Sequence, residues 1–370
     1  MDKTPQPQKT IYVPQRWGYE DFRPRPPLHQ QVTIVIPAHN EADFITKTIQ
    51  GALHQTYPIE RIIVIDDGSE DATARIAEEF REVQVIRIPK DGANSKARGL
   101  TIALAFVETA LFATIDADTR LDPNAIKNCL ASFDDPTIGC AAGVVVPERI
   151  RSLWERGRFF EYMYAFAVIK PAQADMGRVL IAPGCFTMHR TELVRRMGGF
   201  RQITMAEDMD YTWQLIEAGF KTAYVSSAIC YPVEPPTFEK YVKQIDRWYR
   251  SFLQNIKIRR FRLFRVDLEF GLLVWYYLLW ASLTPILVPF FLWKVTGNPQ
   301  KFLLAAFGME ATLSWAPGLY QARRLGKFWT GVVCIPATFV MKYVAMFVFF
   351  RAIWKEFVVR DTLKQWHKGH

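Results

Sequence analysis

Short apolar runs alternate with longer amphipathic stretches through the first third of the chain. The runs are rich in valine and isoleucine, which is typical of buried strands, whereas the stretches between them have helical spacing. The predicted strands are residues 32–36, 62–65, 83–88 and 111–115, and the predicted helices lie near 41–54, 71–80, 95–108 and 123–133. This alternation predicts an α/β domain with a mostly parallel sheet and helices on both faces.

Acidic residues follow the predicted strands directly. Glu41 comes after the first strand, Asp67 after the second, and Asp116 and Asp118 after the fourth. In open α/β sheets, ligands bind beyond the carboxyl ends of the strands, so we expect a site at this edge. The sequence has no GxxxxGK(S/T) phosphate loop and no GxGxxG turn, so a phosphate would have to be held in another way.

The Asp116-Ala117-Asp118 motif places two carboxylates about one pleat apart, where at least one can face a divalent cation. Mg²⁺ or Mn²⁺ prefers such oxygen ligands, and the ion would neutralise a leaving diphosphate with help from Lys96. Exposed aspartate pairs are common, so the motif alone divides evenly between a metal site and an ordinary turn. Asp67 could likewise contact a nucleobase or only form a turn.

A second pair of acids, Glu207 and Asp208, precedes a helix predicted at 209–218 and stopped by Gly219. The helix dipole favours an ionised carboxylate at this end. An ionised Asp208 could act as a general base that takes the proton from an acceptor hydroxyl. An N-cap aspartate has the same pattern, and position alone slightly favours that simpler role.

Gln244, Arg247 and Trp248 stand at i, i+3 and i+4, so on a helix all three project from one face. An amphipathic helix with its tryptophan at a lipid boundary would share this spacing. The functional alternative explains more of the pattern. Arg247 could pair with a diphosphate, Trp248 could stack on a sugar ring, and Gln244 could supply a hydrogen bond.

Composition adds a membrane to this prediction. Residues 270–293 form a run of 24 without a charge, which exceeds the ~20 needed to cross a bilayer. Much of the net charge of +9 comes from residues 238–265, which hold nine Lys or Arg against two acids. Basic residues among aromatic ones could bind nucleic acid, but this segment borders the apolar run. We therefore predict interfacial helices on anionic lipid and no nucleic-acid partner.

Two further apolar segments, 302–322 and 328–350, complicate the topology. With a cytosolic catalytic domain, three crossings would place the tail 351–370 outside, although it carries five Lys or Arg against two acids. We therefore expect one of these two segments to be re-entrant or interfacial. Glu310 and Lys342 are costly in lipid and should face protein, water or a channel. The five scattered cysteines predict neither a disulfide framework nor a zinc site.

With these residues assembled, the chain resembles the inverting family 2 glycosyltransferases, and among them the membrane-embedded cellulose, chitin and hyaluronan synthases. The resemblance is strong over residues 31–265 and looser in the membrane part. The motifs that carry it occur in the family's order: Pro37-Ala38-His39-Asn40-Glu41, Asp66-Asp67, Lys96, Asp116-Ala117-Asp118, Glu207-Asp208 and Gln244, Arg247, Trp248. The chain departs from the family's pattern at Thr101, where asparagine is frequent, at Ala206, where threonine is usual, and in having fewer predicted spans.

The resemblance implies a GT-A-like domain and a role for each motif. Asp67 and Asp116 would contact the uridine, with Glu41, Lys96 and Arg247 also on the nucleotide-sugar side. Asp118 would hold the Mg²⁺ or Mn²⁺, and Asp208 would be the base beside Glu207. Gln244 and Trp248 would hold the acceptor, and residues 181–187 resemble the family's acceptor loop, with Cys185 at its acceptor end.

These expectations give a predicted organisation along the chain. It consists of an extended arm at 1–30, a catalytic domain at 31–237, basic interfacial helices at 238–265, transmembrane helices at 266–350 and a basic tail at 351–370. We predict that the protein lies in the cell (inner) membrane with its catalytic domain in the cytosol. It would extend a β-linked polysaccharide from a UDP-sugar. A polymerising form would need self-association or a channel partner. The alternatives are a single transfer to a lipid acceptor and a catalytically inactive nucleotide or nucleic-acid binder.

Overall fold

The computed structural model describes residues 31–89, 95–260 and 262–361. The predicted arm at 1–30 and the end of the predicted tail, 362–370, lie outside these residues. In the described part of the chain, eight strands form one sheet: β1 (Val32–Ala38), β2 (Ile59–Asp66), β3 (Val83–Arg87), β4 (Leu111–Ile115), β5 (Thr119–Leu121), β6 (Ile138–Val145), β7 (Phe186–Arg190) and β8 (Lys221–Pro232). Their order across the sheet is β3-β2-β1-β4-β7-β6-β8-β5.

The sheet is mixed: one half is entirely parallel, and the other half contains two antiparallel strands. β1 pairs in parallel with β2 and β4, and β2 pairs in parallel with β3. β7 runs antiparallel to both β4 and β6, β8 is parallel to β6, and β5 is antiparallel to β8. Strands β1, β2, β3, β4, β6 and β8 therefore share one direction. The predicted GT-A-like α/β fold is confirmed, and the mostly parallel sheet contains two reversed strands.

Helices lie between the strands along the chain, and four of them match the helices predicted in the first third of the chain. They begin later and end earlier than predicted because turns flank them. Before α1, for example, the Glu41 carbonyl accepts N–H bonds from Phe44 and Ile45, each 2.9 Å long. The helices of this domain are α1 (Ile45–Leu53), α2 (Thr73–Glu78), α3 (Lys96–Ala103), α4 (Ala125–Leu130), α5 (Leu153–Tyr164), α6 (Lys170–Asp175), α7 (Thr191–Arg196) and α8 (Glu207–Glu217).

Both faces of the sheet are buried, as the sequence predicts. Along β1, Ile34 and Ile36 join one hydrophobic cluster while Val35 joins another, which follows from the two-residue period of a strand. The first cluster includes Ile49 of α1 and Phe159 of α5, and it extends to the C-terminal helices. The second includes residues from α3, α7 and α8. This part of the chain is therefore a three-layer structure.

The C-terminal part is helical throughout its described residues. It comprises α9 (Phe238–Arg259), α10 (Arg262–Val266), α11 (Leu268–Thr296), α12 (Pro299–Glu310), α13 (Ala316–Arg324) and α14 (Phe328–Ile353), with π-helical turns at Ala311–Trp315 and Trp354–Val359. Two continuous helical stretches among the described residues, Pro299–Arg324 and Phe328–Val359, have the length and hydropathy of bilayer-crossing helices. Helix α11 is also long and apolar, with 29 residues.

Glu310 and Lys342, the two charges expected to be costly in lipid, form an ion pair with each other across α12 and α14. Helix α14 also packs against both α5 and α9. At the first of these contacts Gly157 lies so close to Met341 that a Cβ on residue 157 would overlap its side chain. The C-terminal helix α14 therefore packs directly against both α5 and α9 and helps to hold α9 in place.

Candidate active site

The predicted strand-end residues lie along one edge of the sheet. β1 stands between β2 and β4, with Ala38 paired to Asp66 and Val35 paired to Thr114, so the three carboxyl ends are neighbours. The Asp67 N–H donates to the Ala38 carbonyl at 2.9 Å, and Asp67 is buried. Glu41 is also buried, and its N–H donates to the Thr73 hydroxyl at 2.7 Å.

Lys96 joins the two sets of acids that are far apart in the sequence. Its Nζ lies 2.5 Å from an Asp116 oxygen and 3.1 Å from a Glu207 oxygen. It is the first residue of α3, whose N-cap Ser95 accepts the Arg98 N–H at 3.2 Å. Burial alone would lower the pKa of Lys96, but the negative charges around it raise that pKa above its usual range. Lys96 is therefore a fixed positive charge.

Asp208 is the second residue of α8, and the N-cap position is occupied by Ala206 without a side-chain cap. The N-cap alternative for Asp208 is therefore wrong. Its Oδ2 accepts the Gly184 N–H at 2.8 Å, and its Oδ1 accepts the Met209 N–H at 2.7 Å. Burial raises the pKa of the adjacent Glu207, an effect that Asp208 reinforces and Lys96 opposes. Two carboxyl groups with different surroundings thus stand side by side.

The loop at 181–187 approaches this cluster through Gly184. A Cβ on residue 184 would overlap the Lys96 amine, so glycine permits the close approach. Cys185 follows, with its Sγ 3.8 Å from the Cys230 Sγ, and both are free thiols. The contact with Cys230, together with burial, raises the pKa of the Cys185 thiol. The sequence predicted this loop beside the acceptor, and the structure places its backbone against Asp208.

A small cavity lies behind the two acids, lined by Thr114, Thr187 and His189 among others. Burial lowers the pKa of His189 to about 3, so this imidazole is neutral at physiological pH. Its Nε2 lies 3.2 Å from the Thr114 hydroxyl. Apart from Glu207 and Asp208, the residues that line this cavity are therefore uncharged, so the lining itself adds no positive charge to that of Lys96.

Gln244 and Trp248 lie on α9 and face the same partner, Arg158 of α5. The Gln244 side-chain oxygen accepts an Arg158 N–H at 3.0 Å, and the guanidinium lies 4.6 Å from the centre of the Trp248 ring. The predicted shared helix face is thus confirmed for these two residues. Arg247 is partly buried on the same helix, and its carbonyl accepts the Ser251 hydroxyl at 2.7 Å.

Asp118 lies between the two groups of residues. The backbone carbonyl of Asp118 accepts the Val233 N–H at 3.3 Å. Glu234, which follows Val233, contacts Arg158. Burial raises the pKa of Glu234, and the charge of Asp118 adds to that rise. Among the described residues, no three or more His, Cys, Asp or Glu side chains converge as a metal site. The carboxylates present fit an ion that takes most of its ligands from a bound diphosphate.

Four residues near the site were not predicted from the sequence: Arg158, Tyr162, Lys170 and Glu234. Lys170 donates from Nζ to the Ile181 carbonyl at 2.6 Å, at the start of the loop at 181–187. Burial lowers the pKa of Lys170 to about 8, although Asp208 partly opposes this shift. A charged residue inside an aromatic-rich helical stretch is the only signal that could have indicated Arg158, and such charges are common on helix surfaces.

Comparisons with known proteins agree with this geometry. The profile described as glycosyltransferase-like family 2 matches residues 29–251. The chain is 32% identical over 254 residues to the hyaluronan synthase of Streptococcus pyogenes, covering 64% of this chain and 60% of that protein. It is 27% identical over 248 residues to the poly-beta-1,6-N-acetyl-D-glucosamine synthase of Staphylococcus aureus strain MSSA476, with the same coverage of 64% and 60%. The chain thus spans 60% of the length of these curated relatives.

One solved structure is similar over most of the chain. A mannosyltransferase from Pyrobaculum calidifontis, in complex with GDP-Man and Mn²⁺, superposes with a TM-score of 0.56 and 18% identity. The similarity covers 87% of this chain and 91% of the mannosyltransferase. At this identity the likeness supports the fold, and it includes part of the helical region that follows the sheet.

Proposed function

The chain belongs to glycosyltransferase family 2, and we propose that it extends a β-linked polysaccharide by inverting transfer from a UDP-sugar. The observation that carries this proposal is the bridge from Lys96 to both Asp116 and Glu207. Through one side chain it joins the strand edge, where a nucleotide would bind, to the helix start that holds Asp208. A donor bound at that edge would present its anomeric carbon to Asp208.

The proposed chemistry is a single displacement. Asp208 would take the proton from the acceptor hydroxyl as the oxygen attacks the anomeric carbon, and the bond to UDP would break on the opposite side. The N–H groups of Gly184 and Met209 hold the carboxylate while each oxygen keeps a lone pair for a substrate. Lys96 would balance negative charge on the departing diphosphate, with Arg247 as a second cation from α9.

We further propose that Asp118 holds a divalent cation, Mg²⁺ or Mn²⁺, together with oxygens of the diphosphate. When bound, such an ion supplies positive charge that stabilises the leaving group. Asp67, Asp116 and Glu41 would serve the nucleotide sugar at the same edge. This division leaves the chain's own residues with two tasks, which are to orient the diphosphate and to keep Asp208 ready to accept a proton.

Trp248, Gln244 and the loop around Cys185 would hold the acceptor sugar. The supporting observation is that Trp248 and Gln244 share one partner, which keeps an aromatic face and an amide together. A sugar ring stacks well on such a face while its hydroxyls bond to the amide. Retention of the product end after each transfer is the property that polymer synthesis requires.

We also propose an integral membrane location with the catalytic domain in the cytosol. The apolar C-terminal helices and the basic α9 support this assignment. Membrane lipid would then contact the protein, and either self-association or a channel partner would provide a path for a long product. The proposed location is the cell (inner) membrane, and the predicted re-entrant segment stays a prediction.

Product analysis tests the proposal. Purified protein in lipid nanodiscs is incubated with Mn²⁺ and a panel of radiolabelled UDP-sugars, beginning with UDP-N-acetylglucosamine because one relative is named for that sugar. UDP release and product size are measured together. The proposal expects UDP release that accompanies a polymer. A lipid carrying one added sugar would establish the single-transfer alternative, and the absence of UDP release with every donor would contradict glycosyl transfer.

A further inference from the structure

Arg158 occupies the centre of a buried polar network beneath the proposed acceptor surface. We propose that Arg158 is a positioning residue, which acts with Glu234 to hold Gln244 and Trp248 as a preformed surface for the acceptor sugar. The inference rests on the function proposed above, because it assumes that Gln244 and Trp248 meet an acceptor. It extends that function by assigning a role to two residues that no sequence motif contains.

The guanidinium uses each of its nitrogens on a different neighbour. One terminal nitrogen donates to Glu161 at 2.7 Å, the other donates to the Gln244 oxygen at 3.0 Å, and Nε lies 3.6 Å from Glu234. The guanidinium carbon lies over two aromatic rings, 4.6 Å from the centre of the Trp248 ring and 5.0 Å from that of the Tyr241 ring. A planar fork with a stacking face suits this arrangement, whereas an ammonium does not.

Glu234 completes the network from the other side. Its carboxylate accepts the Tyr162 hydroxyl at 2.7 Å and the Gln244 amide N–H at 3.4 Å. The Gln244 side chain is therefore fixed at both ends, because its oxygen binds Arg158 and its nitrogen binds Glu234. A fixed amide orientation defines which hydroxyls of a sugar it can bond.

The burial of this network indicates that it positions side chains more than it stabilises the fold. Arg158 and Glu234 are each only 3% exposed. Removing such a pair from water costs free energy that the mutual attraction often fails to recover, so a buried ion pair is a weak source of stability. The backbone beside Glu234 is bonded to Asp118 through the Val233 N–H. The network therefore also sets the distance between the acceptor surface and the proposed metal ligand.

Three variants separate positioning from simple charge balance. Arg158→Lys keeps a positive charge but loses the fork and the stacking face. The double variant Arg158→Met with Glu234→Gln removes both charges, so neither is left buried without a partner. Arg190→Lys is a matched control because Arg190 is also buried, donates to the backbone carbonyls of Ile138 and Phe133, and lies outside the site.

The first measurement is independent of catalysis. Protein labelled with 5-fluorotryptophan is studied by fluorine NMR in nanodiscs, and the Trp248 signal is assigned with Trp248→Phe. The proposal expects the Trp248 signal to shift or broaden in Arg158→Lys and in the double variant, and to stay unchanged in Arg190→Lys. An unchanged Trp248 signal in Arg158→Lys would overturn the proposal even if no donor sugar were turned over.

The second measurement uses the UDP-sugar that the wild-type protein consumes. We expect the ratio of sugar in polymer to UDP released to fall about tenfold in Arg158→Lys, because a polymer end that is poorly held would let water accept the sugar instead; tenfold is the effect of a lost charged hydrogen bond. The affinity for UDP with Mn²⁺ should stay within about twofold, because Arg158 lies on the acceptor side. Recovery of wild-type products in the double variant would show that Arg158 only neutralises Glu234, and it would contradict positioning.

Discussion

The donor side and the acceptor side of the proposed site are built in different ways. On the donor side, one partly buried lysine, Lys96, contacts Asp116 and Glu207 within a single α/β domain. On the acceptor side, Gln244 and Trp248 depend on Arg158 from another helix, and α9 is itself packed against the C-terminal α14. The first region is a charge cluster at a sheet edge, and the second is an aromatic and polar network shared by α5, α9 and the segment after β8.

This difference predicts separate consequences for the two regions. Lys96, Asp116 and Glu207 lie at the ends of α3, β4 and α8, which pack together in one buried cluster, so substitutions there should alter charge and chemistry with little movement. Residues around Trp248 are held by contacts between helices, including contacts with the apolar helix α14. Substitutions there should alter where the acceptor lies and how long a product is retained.

The largest effect should come from removing the metal. Chelation should abolish transfer in the wild-type protein, and added Mg²⁺ or Mn²⁺ should restore it, because the diphosphate charge would otherwise be uncompensated. In Asp118→Asn the same additions should restore activity poorly, since one anionic ligand is lost. Turnover is measured as UDP release across a metal titration. Full activity in excess chelator would exclude the metal from the mechanism.

Asp208→Asn should have the next largest effect. Transfer should fall by roughly 10²–10⁴, the range typical of a lost general base, while UDP binding and folding are retained. The amide that this substitution introduces can still accept the Gly184 N–H through its oxygen, so the loop should keep its place. Initial rates and calorimetric UDP affinity are measured side by side. A variant with nearly normal turnover would exclude Asp208 as the base.

Trp248→Ala should have a smaller effect, on the acceptor side alone. The loss of stacking should weaken acceptor engagement by about 1–3 kcal/mol, by analogy with other aromatic stacking. Products should become shorter while UDP affinity changes little. Gel sizing of the polymer and UDP titration provide the two readouts. Products of normal length would exclude Trp248 as the surface that retains the growing end.

Glu356→Gln should have the smallest effect on turnover and a clear effect on stability. Glu356 is fully buried, and its Oε1 accepts Arg250 Nε at 3.0 Å and Gln254 Nε2 at 3.1 Å, which fastens the end of the C-terminal helix to α9. Weakening this charged contact should cost about 1.5–3 kcal/mol of stability. Thermal unfolding is compared with Glu192→Gln, which breaks an exposed ion pair on α7. Equal melting temperatures in the two variants would contradict the proposed role of this contact.

The two regions also differ in how much the sequence could predict. The shared position of Asp67, Asp116 and Asp118 could be predicted from the short apolar runs before them, because parallel strands end at one edge of the sheet. The position of β7 between β4 and β6 could not be predicted, since it depends on pairing between residues 45 to 79 positions apart in the sequence. The contact of Lys96 with Glu207 could not be predicted either, because it depends on how α3 and α8 pack in the same buried cluster.

Arg158 and Glu234 show the same limit on the acceptor side. The periodicity of α9 predicted that Gln244 and Trp248 share a face, and it could not predict what that face meets. Charged residues that are buried through tertiary contacts have no periodic signature of their own. Their burial is decided by how α5, α9 and the segment after β8 pack together.

The most direct test of the central claim is a comparison of UDP affinity, measured by calorimetry with Mn²⁺, in Lys96→Met and Trp248→Ala. If the charge cluster binds the donor and the aromatic network binds the acceptor, Lys96→Met should weaken UDP binding by about tenfold or more, because the partly buried cation proposed to face the diphosphate is lost. Trp248→Ala should bind UDP within about twofold of the wild-type protein. Equal weakening of UDP binding in both variants would contradict the division of the site into two regions.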